Sequence, residues 1–413
     1  MSARLQAQIA TALVALSCIL LWPHTAAAAE PERRDPARAV CNAGGVRLDL
    51  SFDGGTHGSC RIDAEGVLVI RINPEDAEVT NCSPWYAARI YRPEAASGPT
   101  RLTLEYAKCD HRYKPWYWAP AIGWTPLEAT AITTKAVGRN ATASIDLPAA
   151  AGWAYLSAQP VVGIGWYENW IASVATRKDT RRETIGYSRK GRPIEALTIT
   201  QGEGAKGQIL LVSGQHPPET TGTQALQGFL AALLADEPLA TRFRAQYDIV
   251  VVPLVNPDGV TGGFWRHNTG STDLNRDWGP FTQPETKAVR DLAERMDMRR
   301  PLRLFLDFHS TNRDVIYTMP SELPTVPAQF TRQWLQRYDA WTPGYEVEER
   351  PGHNSDRPVS KGWFYERFKI PAATYEVGDD TSLPDVAFRS GRAAQAAMEV
   401  LLDGQSMPAT VGR

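Results

Sequence analysis

Gln208-Ile-Leu-Leu-Val-Ser-Gly-Gln-His-Pro-Pro-Glu-Thr220 is an apolar run cut off by His216 and, three positions on, by Glu219. Three later runs end in the same way. Asp248 to Leu254 leads into Asn256-Pro-Asp-Gly259, Pro301 to Phe308 into His309, and Ile370 to Tyr375 into Glu376. Short apolar runs bounded by turn residues suit buried strands. In open α/β sheets, ligands gather beyond the carboxyl ends of the strands. Four polar endings on four buried strands therefore predict one site.

The segments between these runs carry helix signals. Gln224 to Ala235 has apolar residues at helical spacing, and Pro284 followed by Glu285 opens a helix to about Arg295. Glu168 to Thr176 suits a short helix, and Thr184 to Ile194 reads as two strands around a turn at Lys190-Gly191. Strands alternating with helices predict an α/β domain with a largely parallel sheet flanked by helices.

Upstream, the pattern differs. Val46 to Phe52, Val67 to Ile72, Tyr86 to Tyr91, Arg101 to Tyr106 and Ala143 to Leu147 are short alternating runs between Gly, Pro and Asn, which predicts a smaller all-β sandwich. A chain of 413 residues suits two domains. We expect a signal peptide at 1–28, a disulfide-bearing β-sandwich at 29–159 and a catalytic α/β domain at 160–413. The signal reading rests on Arg4, an apolar run from about Ile9 to Trp22, and Ala26-Ala27-Ala28 as a small-residue cleavage site. It places the protein outside the cytoplasm, periplasmic or secreted, with no stable membrane span once the signal is removed. Cys18 would leave with it.

The other cysteines, Cys41, Cys60, Cys82 and Cys109, all fall in the sandwich and suit two disulfides in an oxidising compartment. Of three possible pairings, proximity favours Cys41 with Cys60 and Cys82 with Cys109. A zinc knuckle is the competing reading, although no C-x-x-C occurs. A formal net charge of -2 gives no electrostatic case for a nucleic-acid partner. The aromatic run Tyr113-Lys-Pro-Trp-Tyr-Trp118 suits either a stacking surface for a ligand or, as the plainer reading, packing between domains.

A lone His-x-x-Glu says little, but two histidines and a glutamate with a fourth position open is a donor set of catalytic zinc. The alternative H-E-x-x-H pattern is absent. His216-Pro-Pro-Glu219, Asn256-Pro-Asp-Gly259, Trp265-Arg266, Asp273-Leu-Asn-Arg-Asp-Trp278, Pro284-Glu-Thr286, His309 and Glu376 occur in an order that resembles the zinc metallocarboxypeptidases of the carboxypeptidase A type. The likeness spans roughly 160 to 405, and Asp-Leu-Asn-Arg after a β-rich region is most similar to the cytosolic carboxypeptidase branch. The resemblance implies a mixed sheet and one Zn2+ per chain on His216, Glu219 and His309. It makes Glu376 the catalytic proton carrier, Arg266 the stabiliser of the developing oxyanion, and Asn275 with Arg276 the grip on a terminal carboxylate. Asp273 would orient a zinc histidine.

The family's loop tyrosine, some twenty residues before the catalytic glutamate, has no clear counterpart. His353 or Asn354 falls near that place, and Tyr345 and Tyr365 are candidates only if the loop is rearranged. The same alignment puts Lys361 where the family sets the charge of the side-chain pocket, which implies a preference for an acidic terminal residue. The expected activity is carboxypeptidase hydrolysis of a peptide or peptidoglycan-peptide substrate. The alternatives are a zinc amidase or endopeptidase acting on peptidoglycan stem peptides, and a peptide- or wall-binding protein without catalysis.

Overall fold

Alternating side chains decide how the first half of the chain packs. In Thr142–Leu147 every second residue, Ala143, Ile145 and Leu147, is buried, and Leu102, Leu104 and Tyr106 do the same in Thr100–Tyr106. A strand with one apolar face must bury it against another sheet. The computed structural model, which describes residues 40–76, 81–94, 100–135, 140–149 and 151–403, shows that outcome. The expected signal at 1–28 lies outside the described residues.

A six-stranded sheet runs in the order Val40–Ala43, Val46–Asp49, Ala87–Arg92, Gly152–Ser157, Trp116–Ala119, Gly123–Pro126. Its five-stranded companion runs Gly58–Ile62, Leu68–Ile72, Thr100–Tyr106, Thr142–Leu147, Ile132–Lys135. One apolar cluster, including Leu48, Ile70, Ile90, Leu102, Ile145 and Leu156, draws residues from both sheets. The disulfides are Cys41–Cys60 and Cys82–Cys109, as proximity suggested, so all four thiols are paired and the knuckle reading falls away. The first ties the two sheets together. Closing loops of this size restricts the unfolded chain, a stabilisation of about 3 kcal/mol each.

The second half forms an eight-stranded mixed sheet in the order Thr180–Tyr187, Pro193–Ile199, Tyr247–Val252, Gly207–Ser213, Leu302–Thr311, Ala372–Gly378, Val315–Thr318, Glu349–Pro351. Its middle four strands, Tyr247–Val252 through Ala372–Gly378, are mutually parallel. Both faces of these strands are covered, which is why their sequences read as unbroken apolar runs. On one face, Leu211, Val251, Leu306 and Tyr375 meet helices that include Thr220–Leu233 and Leu383–Asp403. On the other, Leu210, Val252 and Phe305 meet Pro284–Arg299 and Ser360–Phe368. Among the described residues no helix is long and apolar enough to cross a membrane.

The aromatic run packs rather than projects. Tyr113, Trp116 and Tyr117 are buried, and the Tyr113 hydroxyl accepts a hydrogen bond from Trp265 Nε1 at 2.8 Å. It thereby touches the segment that carries Arg266.

Candidate active site

The parallel pairing brings the four polar strand endings to one edge. His309 lies opposite Glu376 in the register of neighbouring strands, so both side chains leave the same face of the sheet. Glu219 stands immediately before the helix Thr220–Leu233. That helix approaches closely: a Cβ on Gly222 would lie 2.5 Å from the His309 carbonyl oxygen, so only glycine fits there.

Glu219 is the centre of the cluster. Its Oε1 lies 2.8 Å from His216 Nδ1 and its Oε2 lies 2.6 Å from His309 Nδ1. One ligand atom from each of the three residues falls within 4.8 Å of the others. The far nitrogens are held too. His216 Nε2 is 2.9 Å from Asp273 Oδ1, and His309 Nε2 is 3.0 Å from Asp307 Oδ2. Carboxylates on both Nε2 atoms fix the ring orientation and leave the Nδ1 atoms turned toward a shared point. Two imidazole nitrogens and a carboxylate suit zinc in both donor type and number.

The electrostatics agree with a cation site. Burial disfavours the charged form of His309, but Asp307 and Glu219 outweigh it and raise its pKa well above the ordinary value. The same balance, with Glu219 and Asp273 as partners, raises that of His216. Burial would raise the carboxyl of Glu219, yet the two histidines carry it far below the usual range. Glu376 goes the other way: burial and then the Glu219 charge push it up to about 7. Its Oε2 is buried with no hydrogen-bond partner among the described residues. A buried carboxylate atom without a partner, beside a metal-type cluster, is poised to accept a proton.

The other expected residues surround this group. Arg266 Nε donates to Asp273 Oδ2 at 2.7 Å, which joins the arginine to the support of His216. Asn275 accepts from Ser360 N at 2.9 Å, with its Nδ2 3.5 Å from His309 Nε2. Arg276 is half-buried and donates through Nη1 to the Asn275 carbonyl at 2.7 Å. Lys361 lies apart from the zinc-type cluster. It is buried on the helix Ser360–Phe368 and donates to the Thr318 carbonyl at 3.2 Å. Burial pushes its ammonium down to about 8. Burial, followed by the positive charges of Lys361, Arg276 and Arg357, lowers the pKa of His353.

Several neighbours were not anticipated. Asp307 is the clearest; its signal was its place two residues before His309, on the same strand face. Its Oδ2 also accepts from Gln215 Nε2 and Ser360 Oγ, each at 2.5 Å. Neither Tyr345 nor Tyr365 is at the site: Tyr345 packs against Tyr338 and Arg389, and Tyr365 is in the core. Tyr317 is there instead. It sits two residues from Val315, the register partner of Glu376, and therefore on the same face, with its ring stacked on His353 at 4.1 Å.

A mixed α/β sheet with parallel middle strands, a His2Glu donor set and a part-buried glutamate near the strand ends has the architecture of a metallohydrolase. The chain belongs to the zinc carboxypeptidase family of M14 peptidases, whose model matches residues 167–390. Human cytosolic carboxypeptidase 6 is 32% identical over 139 residues, which is 31% of this chain and 28% of that protein. Xenopus tropicalis cytosolic carboxypeptidase 2 is 34% identical over 152 residues, 35% of this chain and 16% of that protein. The chain thus spans less than a third of either relative. A metallo-carboxypeptidase from Burkholderia cenocepacia has the same fold, with TM-score 0.70 and 18% identity over 87% of this chain and 99% of its own.

Proposed function

We propose that the protein is an exported zinc carboxypeptidase that hydrolyses the last peptide bond of a peptide bearing a free carboxylate. The observation that carries this reading is the unpartnered Glu376 Oε2 on the face that presents His309 toward Glu219. His216, Glu219 and His309 would hold one zinc ion per chain. When bound, zinc supplies the Lewis acidity that makes water a nucleophile at neutral pH.

The protein's own groups account for the rest. Glu376 takes a proton from the attacking water and returns it to the leaving amine, a task suited to a carboxyl held near neutral pKa. Arg266, steered by Asp273, faces the carbonyl oxygen as its negative charge develops. Asn275 and Arg276 bind the terminal carboxylate, for which a guanidinium offers paired donors. The buried Lys361, whose positive charge acts on His353 together with those of Arg276 and Arg357, supports a preference for an acidic terminal side chain. The disulfides Cys41–Cys60 and Cys82–Cys109 and the leader-like start of the sequence support export, and peptidoglycan stem peptides offer suitable carboxylates in such a compartment.

The test pairs zinc analysis of the purified protein with release of terminal residues from a peptide mixture. Wild type should carry about one zinc and release terminal residues, whereas Glu376→Gln should keep the zinc and lose at least roughly 100-fold in kcat. Zinc without release, together with cleavage of internal amides in cell-wall peptides, would favour the amidase reading instead.

A further inference from the structure

The segment that carries Arg266 is fastened by a residue from the other half of the chain. Glu75 follows the strand Leu68–Ile72 of the five-stranded sheet and is buried. Its carboxylate accepts three consecutive backbone N–H groups, those of Trp265, Arg266 and His267. Oε2 takes the Trp265 N–H and, at 3.1 Å, that of Arg266; Oε1 takes that of His267 at 2.8 Å. Next to it, Asp76 Oδ2 lies 2.5 Å from His267 Nδ1.

This arrangement is linked on both sides. Asn81 Nδ2 donates to Glu75 Oε1 at 2.8 Å, and Glu75 N donates to Ser83 Oγ at 3.0 Å, with Cys82 between them in the disulfide to Cys109. Toward the metal-type cluster, Asn256 Nδ2 donates at 3.1 Å both to the His267 carbonyl and to the carbonyl of Gln215, the neighbour of His216. Arg266 reaches that cluster through Asp273. The three N–H groups are spent on Glu75, so the pair Glu75–Asp76 and His267 is a backbone clamp rather than a second cation site.

We infer that Glu75 is a positioning residue for the hydrolysis: the β-sandwich sets the Arg266 guanidinium through the 265–267 backbone, making the sandwich part of the catalytic machinery. This rests on the role of Arg266 in the proposed function. A carboxylate is required because it offers acceptor lone pairs to three donors at once and carries the charge that strengthens each bond. An amide in its place turns one acceptor into a donor facing backbone N–H groups. The segment then relaxes, and a displacement of about 1 Å at a reacting group can cost roughly 100-fold in rate.

The experiment compares full-length wild type, Glu75→Gln, Glu75→Asp, Arg266→Ala and the Glu75→Gln/Arg266→Ala double variant. Steady-state kinetics, zinc content and melting temperature are measured for each. Glu75→Gln should lower kcat about 10- to 100-fold, leave KM within about twofold and keep its zinc. In the Arg266→Ala background the same substitution should add less than about twofold, because both act through one guanidinium. Glu75→Asp, which keeps the charge, should restore part of kcat; it also serves as the folded test if Glu75→Gln does not fold. Unchanged kcat in a folded Glu75 variant, or effects that multiply in the double variant, would overturn the clamp while leaving the peptidase reading intact. Full activity in Arg266→Ala would remove the Arg266 role and the clamp with it.

Discussion

Asp307 and His309, two residues apart on one strand, meet through Asp307 Oδ2 and His309 Nε2 at 3.0 Å. Asp307 is buried and also holds Gln215 and Ser360, so one carboxylate joins a zinc-type histidine to the loop before His216 and to the helix that carries Lys361. Asp307→Asn should leave the fold in place and weaken zinc binding about 10- to 100-fold, the usual cost of losing a carboxylate behind a ligating histidine. Competition with a chromophoric chelator measures it. An unaltered dissociation constant would show that His309 is oriented without Asp307.

The sequence makes the site's frame readable because His216, His309 and Glu376 each follow an apolar run, with Glu219 three residues after His216, although the strands Leu302–Thr311 and Ala372–Gly378 continue two residues past His309 and Glu376. The fold followed from periodicity: alternation in the first half, unbroken runs between helices in the second. Asp307 stays hidden inside a run that reads as core, because its place two residues before His309 becomes a signal only once His309 is taken as a ligand on a strand. Glu75 and Tyr317 were out of reach for another reason. The backbone N–H groups of 265–267 that Glu75 holds are 190 or more residues away, and Tyr317 reaches its place through a sheet register, neither of which a single sequence specifies.

The link between Arg112 and Asp379 gives a pH test of how the two halves are held together. Arg112 Nη2 donates to Asp379 Oδ2 at 2.7 Å, and Gln159 donates to Oδ1 at 2.6 Å. Burial nonetheless outweighs Arg112 and pushes the Asp379 carboxyl up to about 6 from an ordinary 3.8. A carboxyl raised in the folded state contributes stability fully below its unfolded pKa, and that contribution is lost as pH rises through the folded pKa. Between about pH 3 and pH 7 the wild type should therefore lose roughly 3 kcal/mol relative to Asp379→Asn. Denaturant midpoints of both proteins across this window decide the matter; parallel profiles would contradict it.

Lys361 has its ammonium on a backbone carbonyl, and burial holds its pKa at about 8. An incoming carboxylate would supply the counter-charge that a buried cation lacks in this contact. Lys361→Met keeps the length of the side chain and removes the charge. It should reduce kcat/KM for a peptide ending in Glu by roughly tenfold or more, about the worth of one hydrogen bond to a charged group, with little change for one ending in Leu. Equal losses for both peptides would mean that Lys361 supports the helix Ser360–Phe368 and does not read the substrate.

Arg276 separates hydrolysis at a chain end from hydrolysis within a chain. Its guanidinium is half-buried, anchored through one nitrogen to the Asn275 carbonyl, and the charges of Asp273 and Arg266 act on it from the zinc side. A terminal carboxylate bound there would fix the scissile bond one residue away, which is what makes an exopeptidase. Losing a charge-assisted bond of this kind costs about 2 kcal/mol, or roughly 30-fold. Arg276→Ala should therefore lower kcat/KM by at least that factor for a peptide with a free terminus. The same peptide ending in an amide, already poor for the wild type, should be cleaved at an unchanged rate. If the wild type cleaves both peptides equally and Arg276→Ala alters neither, the site selects its substrate by contacts upstream of the bond, and the internal-amide reading takes the place of the exopeptidase one.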